Sequence, residues 1–241
     1  MSPLKSPTVL VTGANRGIGF EFAKQYAERG WRVIGCARQP VEAAALKKLA
    51  AKYPDITIEQ LDVSDLDSVD ALAARFKGQP IDILINNAGV FGDFADQSFG
   101  GLRHDKFDMF MRTNARGALK MSEAFVENVK AGRLKKIVVI TSQAGSFGLN
   151  SGGLPGQYFY KASKAALNMF MRNVAADLKE HGIIVGILSP GMVATRVAPE
   201  RKFPGLIEPP ESIAGMIEVI DDLTLEQSGA FIRYTSEAQP W

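Results

Sequence analysis

The sequence predicts an α/β fold, a single-domain, Rossmann-like, doubly wound sheet of about seven parallel strands with helices on both faces. Three observations carry this. Short β-branched runs recur along the chain, and segments with helical apolar spacing fall between them. Ile137-Val-Val-Ile and Ile81-Asp-Ile-Leu-Ile are apolar almost throughout, as strands are when helices cover both faces of a parallel sheet.

Taken in order, the first candidate strand, Thr8 to Thr12, runs into Thr12-Gly-Ala-Asn-Arg-Gly-Ile-Gly19 and then a helix whose Ile18, Phe22 and Tyr26 share one face. A strand, a glycine-rich turn and a helix N-terminus form the context that a dinucleotide pyrophosphate needs, because free N–H groups and the positive dipole end face the phosphates. Gly13 permits the tight turn, Gly17 lets backbone approach phosphate, and Gly19 lets helix pack close to strand. The spacing is G-x-x-x-G-x-G, and a glycine-rich turn alone is weak evidence, since any strand-to-helix turn can want glycine. The second strand, Trp31 to Ala37, ends at Arg38 with no carboxylate where an NAD site places one for the ribose 2′-hydroxyl. Arg38 and Arg16 are therefore candidates to clamp a 2′-phosphate, the bland alternative being two solvated arginines.

The third strand, Ile56 to Gln60, leads to Leu61-Asp62-Val63, and the fourth, Ile81 to Ile85, to Asn86-Asn87-Ala88-Gly89. A helix is expected around Asn114 to Asn128, and Lys130, Arg133, Lys135 and Lys136 at its end complement its dipole. The fifth strand, Ile137 to Thr141, is followed by Ser142. A second long helix, Tyr158 to Leu178, carries Leu167, Met171, Val174 and Leu178 on its buried side and Tyr160-Lys-Ala-Ser-Lys164 near its start. Tyr160 and Lys164 lie four apart, on one face, although such pairs are also common on ordinary amphipathic helices. An ammonium beside a phenol favours the phenolate and makes a general acid/base. The sixth strand, Ile183 to Leu188, precedes Ser189-Pro190-Gly191. From Gly191 to Glu211 the chain is irregular and rich in proline (Pro199, Pro204, Pro209, Pro210), which reads as a substrate-binding loop or lid, or as surface decoration. Ala230 to Tyr234 is the seventh strand.

Composition narrows the function classes. With 46% apolar and 22% charged residues in 241, the chain can bury a sizeable core. A net charge of +2 is too balanced to imply nucleic-acid binding. The single cysteine, Cys36, cannot form an internal disulfide, and Met1 to Pro7 has no apolar signal segment, so a cytoplasmic protein is expected. No apolar stretch is long enough to span a membrane. His104 and His181 have no cysteines nearby, so no metal site is expected. A G-x-S-x-G nucleophile elbow is missing, which argues against a serine hydrolase.

Together, the turn Thr12 to Gly19, Leu61-Asp62-Val63, Asn86 to Gly89, Asn114, Ile140-Thr141-Ser142, Tyr160 with Lys164, and Ser189-Pro190-Gly191 followed by Thr195 resemble the short-chain dehydrogenase/reductase family, in order and approximate spacing, over essentially the whole chain. The tail from Gly229 to Trp241 is most similar to the C-factor and sniffer-type carbonyl reductases. The resemblance implies Tyr160 as catalytic acid/base, Lys164 as the lysine that binds the nicotinamide ribose and tunes the tyrosine, and Ser142 as the serine that hydrogen-bonds the carbonyl. It implies Asn114 as the holder of a relay water. The cofactor contacts it implies run over Gly13, Asn15, Arg16, Gly17, Ile18 and Gly19, then Arg38, Asp62 and Val63, then Asn87, Ala88 and Gly89. Tyr160 and Lys164 follow, with Pro190, Gly191, Val193 and Thr195, and Asp62 addresses the adenine. Residues 1–241 are expected to form one NADP-binding domain with a substrate loop at 191–211, working as a homodimer or homotetramer.

The function expected is NADPH-dependent reduction of a ketone or aldehyde. An NADP-dependent dehydrogenase of an alcohol, polyol or steroid and an idle NADPH-sensing regulator stay open. The intact Ser142, Tyr160 and Lys164 argue against the sensor. Ser142 and Tyr160 are 18 positions apart, a long spacing for the family. Phe91, Phe94, Phe147, Leu149 and Met192 read as the lining of an apolar substrate pocket.

Overall fold

Seven strands hydrogen-bond side by side in the computed structural model, which describes residues 6–150, 155–194 and 205–241. They are β1 (Thr8–Thr12), β2 (Arg32–Ala37), β3 (Ile56–Gln60), β4 (Ile83–Asn86), β5 (Lys136–Ile140), β6 (Ile184–Ser189) and β7 (Phe231–Arg233). Their spatial order is β3-β2-β1-β4-β5-β6-β7, and every pairing is parallel. Each predicted strand is found, shifted by no more than two residues at either end, and the last is trimmed to three residues.

Alternation along each strand divides the core in two. Val9, Val11, Val33, Ile83, Ile85, Val138 and Ile140 point to one face, where they meet α1 (Gly17–Glu28), α2 (Ala44–Lys52) and α8 (Pro209–Asp222) through Phe22, Tyr26, Leu46, Ile213 and Ile217. Leu10, Ile34, Leu84, Ile137, Val139 and Ile187 point to the other. There they pack on α3 (Leu66–Arg75), α5 (Gly117–Ala124), α6 (Val126–Ala131) and α7 (Tyr158–Leu178) through Leu72, Met121, Val129, Leu167 and Met171. A parallel sheet covered on both faces needs apolar residues at nearly every strand position, and that requirement is what made these strands visible in the sequence. Among the described residues, no helix is long and apolar enough to cross a membrane.

Two helical expectations are corrected. The helix expected around Asn114 to Asn128 is broken: α4 (Phe107–Phe110) passes into a π-helical stretch, Met111–Arg116, then α5, and a non-helical Phe125 separates α5 from α6. Lys136 does not serve the helix that precedes it. Its buried ammonium instead donates to the carbonyls of Ile220 and Asp221 at the end of α8, a neighbour supplied by the sheet and not by the chain. The loop expected over 191–211 also ends earlier, because α8 already begins at Pro209.

Candidate active site

Strand β1 lies between β2 and β4, so successive strands leave it in opposite directions, and the crevice beyond its carboxyl end is where open α/β sheets bind ligands. Two loops meet there. Thr12 joins them: its hydroxyl accepts from the amides of Asn87 at 2.9 Å and Ala88 at 3.0 Å, while Asn87 Nδ2 donates to the Thr12 carbonyl at 2.8 Å. Gly13 turns with φ +69°. A methyl group at Gly19 would run into the Gly13 carbonyl oxygen and the Asn87 side chain, so only glycine lets α1 start this close to β1.

Helix α1 begins after Arg16 with no side-chain cap and no acidic residue in its first turn. Its leading N–H groups therefore have no side chain to satisfy them, as an anion site requires. Ala14 N donates to the Cys36 carbonyl at 2.9 Å, which joins the glycine turn to the end of β2 and sets the segments bearing Arg16 and Arg38 side by side. Both arginines are exposed, as is Asn15. Leu61 N donates to the Ala37 carbonyl, so Asp62 and the buried Val63 follow at the same edge, with the Asp62 carboxylate accepting from Ser64 N at 2.9 Å and Ser64 Oγ at 2.7 Å. The residues expected to hold a dinucleotide are thus gathered along one edge, and they fit one in chemistry. Pro190 and Gly191 leave β6 at that edge, Gly191 with φ +75°, and Val193 forms a bridge to Ile207. Thr195 and the middle of the expected substrate loop lie outside the described residues.

Farther along the edge, Ser142 follows β5 and Tyr160 and Lys164 stand on α7. The Ser142 hydroxyl is hydrogen-bonded to the Tyr160 phenol. Lys164 is buried, and its Nζ donates to the Ile140 carbonyl at 2.8 Å and lies 5.8 Å from the centre of the Tyr160 ring. The protonation balance differs from the expected one. Burial raises the Tyr160 phenol above its ordinary value and the Ser142 hydrogen bond opposes this, while Lys164 is itself pushed down to about 8 by burial.

Asn114 occupies the π-helical stretch, where an extra residue per turn is frequent at functional sites. Its Oδ1 accepts from Val90 N at 2.7 Å, and its Nδ2 donates to the Val90 carbonyl and to Ser163 Oγ, both at 2.9 Å. A methyl group on Gly89 would meet Asn114 Oδ1 at 3.2 Å and Lys164 Nζ at 3.9 Å, so the turn after β4 lies directly against both. Sequence reading missed Ser163, Asn168 and Gln97. Ser163 is flagged by its place three residues after Tyr160, whose carbonyl it bonds at 2.8 Å. Asn168 accepts from the Thr141 hydroxyl at 2.6 Å, and a polar residue among the apolar positions of α7 was its signal. Gln97 has no local signal at all.

The pocket residues separate. Phe91 stacks edge-on against Tyr160 with ring centres 4.7 Å apart, and Phe94 lies against Phe91 at 5.3 Å. Phe147, Leu149 and Met192 are exposed. The loop after Ser142 is strapped from outside by residues 239–241. Gln143 Nε2 donates to Gln239 Oε1, Ser146 Oγ to the Pro240 carbonyl and Gly148 N to the Trp241 carbonyl, each at 2.7 Å. The Trp241 ring lies 5.5 Å from that of Phe231 and 5.0 Å from the Arg172 guanidinium.

A family model described as short chain dehydrogenase matches residues 7–203. The 1-hydroxy-2-glutathionyl-2-methyl-3-butene dehydrogenase of Rhodococcus sp. (strain AD45) is 38% identical over 231 residues, which cover 93% of this chain and 95% of that one. The C-signal protein of Myxococcus xanthus is 37% identical over 172 residues, 71% of this chain and 99% of its own. Among solved structures, the NADPH-bound carbonyl reductase from chicken fatty liver is similar with a TM-score of 0.91 and 32% identity, over 99% of this chain and 100% of that one.

Proposed function

The chain belongs to the short-chain dehydrogenase family, and on that premise we propose that it reduces a ketone or aldehyde with NADPH, Tyr160 giving the proton. One observation carries the reading: the Ser142 hydroxyl bonded to a half-buried Tyr160 phenol, with Lys164 one turn further along the same helix. NADPH, when bound, supplies the hydride. Ser142 holds the substrate carbonyl and stabilises charge developing on its oxygen. Tyr160 Oη passes its proton to that oxygen, and Lys164 binds the nicotinamide ribose and refills the phenol. Asn114, whose side-chain amide is engaged with Val90 and Ser163, holds the relay water in this reading.

The glycine turn, Arg16 and Arg38, Asp62 and Val63, Asn87 to Gly89, and Pro190, Gly191, Val193 and Thr195 make up the cofactor site in this reading. Residues 1–241 act as one domain, in the cytoplasm, with the segment from Gly191 to the start of α8 at Pro209 as the substrate loop. Phe107 and Met109 on α4 and Tyr158 and Met169 on α7 are exposed apolar side chains available for a homodimer or homotetramer. The choice of NADPH over NADH rests on two exposed guanidinium groups at the end of β2 and in the turn, with no carboxylate after Ala37. Two charge-assisted bonds discounted for solvent give roughly 10²-fold preference. The test is NADPH oxidation against a panel of carbonyl compounds, with kcat/KM for both cofactors in wild type and Arg38→Asp. NADPH use should fall steeply in the variant while NADH use holds or rises, and an unchanged ratio would remove Arg38 from the reading.

A further inference from the structure

We infer that Gln97 is a positioning residue that fixes Tyr160 at both its backbone and its ring; the inference rests on the reading of Tyr160 as the proton donor.

Helix α7 starts without a local cap. Gln157, the residue before it, is left-handed with φ 59°, and its side chain caps nothing. The first N–H groups of a helix have no partner within it and need one from elsewhere. For Tyr160 the partner comes from 63 positions earlier, where Gln97 Oε1 accepts from Tyr160 N at 2.9 Å. Gln97 has no solvent exposure, so its carbonyl oxygen has no water to turn to if this bond is lost.

A cap alone would need only that oxygen, yet the amide nitrogen is also engaged. Gln97 Nε2 donates to the Phe91 carbonyl at 2.8 Å and to the Asp93 carbonyl at 3.2 Å. With a donor in front of its oxygen and two carbonyls in front of its nitrogen, the amide has a single workable orientation. Between those carbonyls the chain turns at Gly92, φ +68°, where a methyl group would sit 3.2 Å from Gln97 Nε2 and closer still to the Phe110 ring. The segment gripped in this way carries Phe91, whose ring rests on that of Tyr160. Asp96 ties the same segment to Lys106 by an ion pair, and its carbonyl accepts from Arg103 N at 3.0 Å. One buried side chain therefore closes a circuit from the Tyr160 amide, through the loop after β4, back to the Tyr160 ring. Proton transfer depends on that ring's placement, and an error of about 1 Å in a reacting group can cost about 10²-fold in rate.

Gln97→Met keeps the length of the side chain and removes its three hydrogen bonds. We would measure kcat per NADPH-binding site, so that misfolded protein does not count, together with KM, the solvent deuterium isotope effect on kcat, and amide exchange at Tyr160 in the cofactor-free protein. The expected result is a roughly 10- to 100-fold loss of kcat with little change in KM, a larger isotope effect, and a Tyr160 amide that has lost protection. Wild-type kcat per site with an unchanged isotope effect would overturn the inference, whatever happens to thermal stability, since Gln97 would then be a cap only. If Gln97→Met does not fold, Phe91→Leu decides: it leaves the carbonyl that Gln97 holds and removes the ring, so it should lower kcat and raise the isotope effect, and wild-type values for both would overturn the inference. Tyr160→Phe, run alongside, separates the two readings. An active Tyr160→Phe enzyme means that the proton donor was misassigned, whereas an inactive one beside a fully active Gln97→Met means that only the role of Gln97 is wrong.

Discussion

Lys164 is stored in its folded environment at a cost. Its burial pushes the ammonium pKa down to about 8, against about 10.4 in an unfolded chain. Below pH 8 both states are protonated and the folded state bears the whole desolvation penalty. Between pH 8 and about 10.4 the unfolded chain holds a proton that the folded one has released, so folding stability rises with pH across that window. The shift corresponds to about 3 kcal/mol, offset by about 1 kcal/mol for the bond to the Ile140 carbonyl. Lys164→Met in the cofactor-free protein should therefore melt higher than wild type at pH 7 and lose that advantage as pH approaches 10, while turning over no substrate. Thermal melts at the two pH values check this, and a lower melting point at pH 7 would refute it. The Tyr160 phenol is the complementary case. Tyr160→Phe should leave NADPH affinity intact and reduce kcat by about 10²- to 10⁴-fold, and retention of a tenth of wild-type kcat would exclude the role given to it.

Among the elements, those that bury one face against the sheet were legible and those shaped by distant partners were not. Helix α7 runs over the residues expected of it, because Leu167 and Met171 mark its buried side at helical spacing. The strands were legible for the same reason. The break between Met111 and Ala131 was not, since Asn114 takes its partners from Val90 and Ser163, 24 and 49 positions away. Nor was the role of Lys136, which depends on α8 packing beside β5. At the site, Ser142, Tyr160, Lys164 and the glycine turn could be read as motifs, whereas Gln97 is an ordinary glutamine until the fold brings α7 against it. Gly19 shows what a motif residue does at the level of an element. In Gly19→Ala the new methyl group must displace both the Gly13 carbonyl and the Asn87 side chain. Overpacking of this kind costs about 1 to 3 kcal/mol, and the separation of the two loops should also weaken NADPH binding. Equilibrium unfolding and a fluorescence titration measure both effects, and a variant with wild-type values in each would mean that α1 can retreat without harm.

Across the whole molecule, the proposed cofactor edge gathers the ends of β1, β2, β3, β4 and β6, and the proposed acid/base pair stands on α7, while the loop after Ser142 is held by residues 239–241. The strap is fastened to the outermost strand, where Gln239 N donates to the Phe231 carbonyl of β7 at 2.7 Å, and three strands separate β7 from β1. A chain stopped before Gln239 should accordingly keep NADPH affinity and lose roughly tenfold or more in kcat/KM for the carbonyl substrate; equal kcat/KM would show that the loop holds itself. The strap also orders events in time. Ser142 and Tyr160 are synthesised well before Trp241, and at about 5 to 20 residues per second the interval from Tyr160 to Trp241 is on the order of ten seconds. In the part of that interval after Thr195 is made, the growing polypeptide already contains every residue proposed for the nucleotide edge while the loop after Ser142 still lacks its strap.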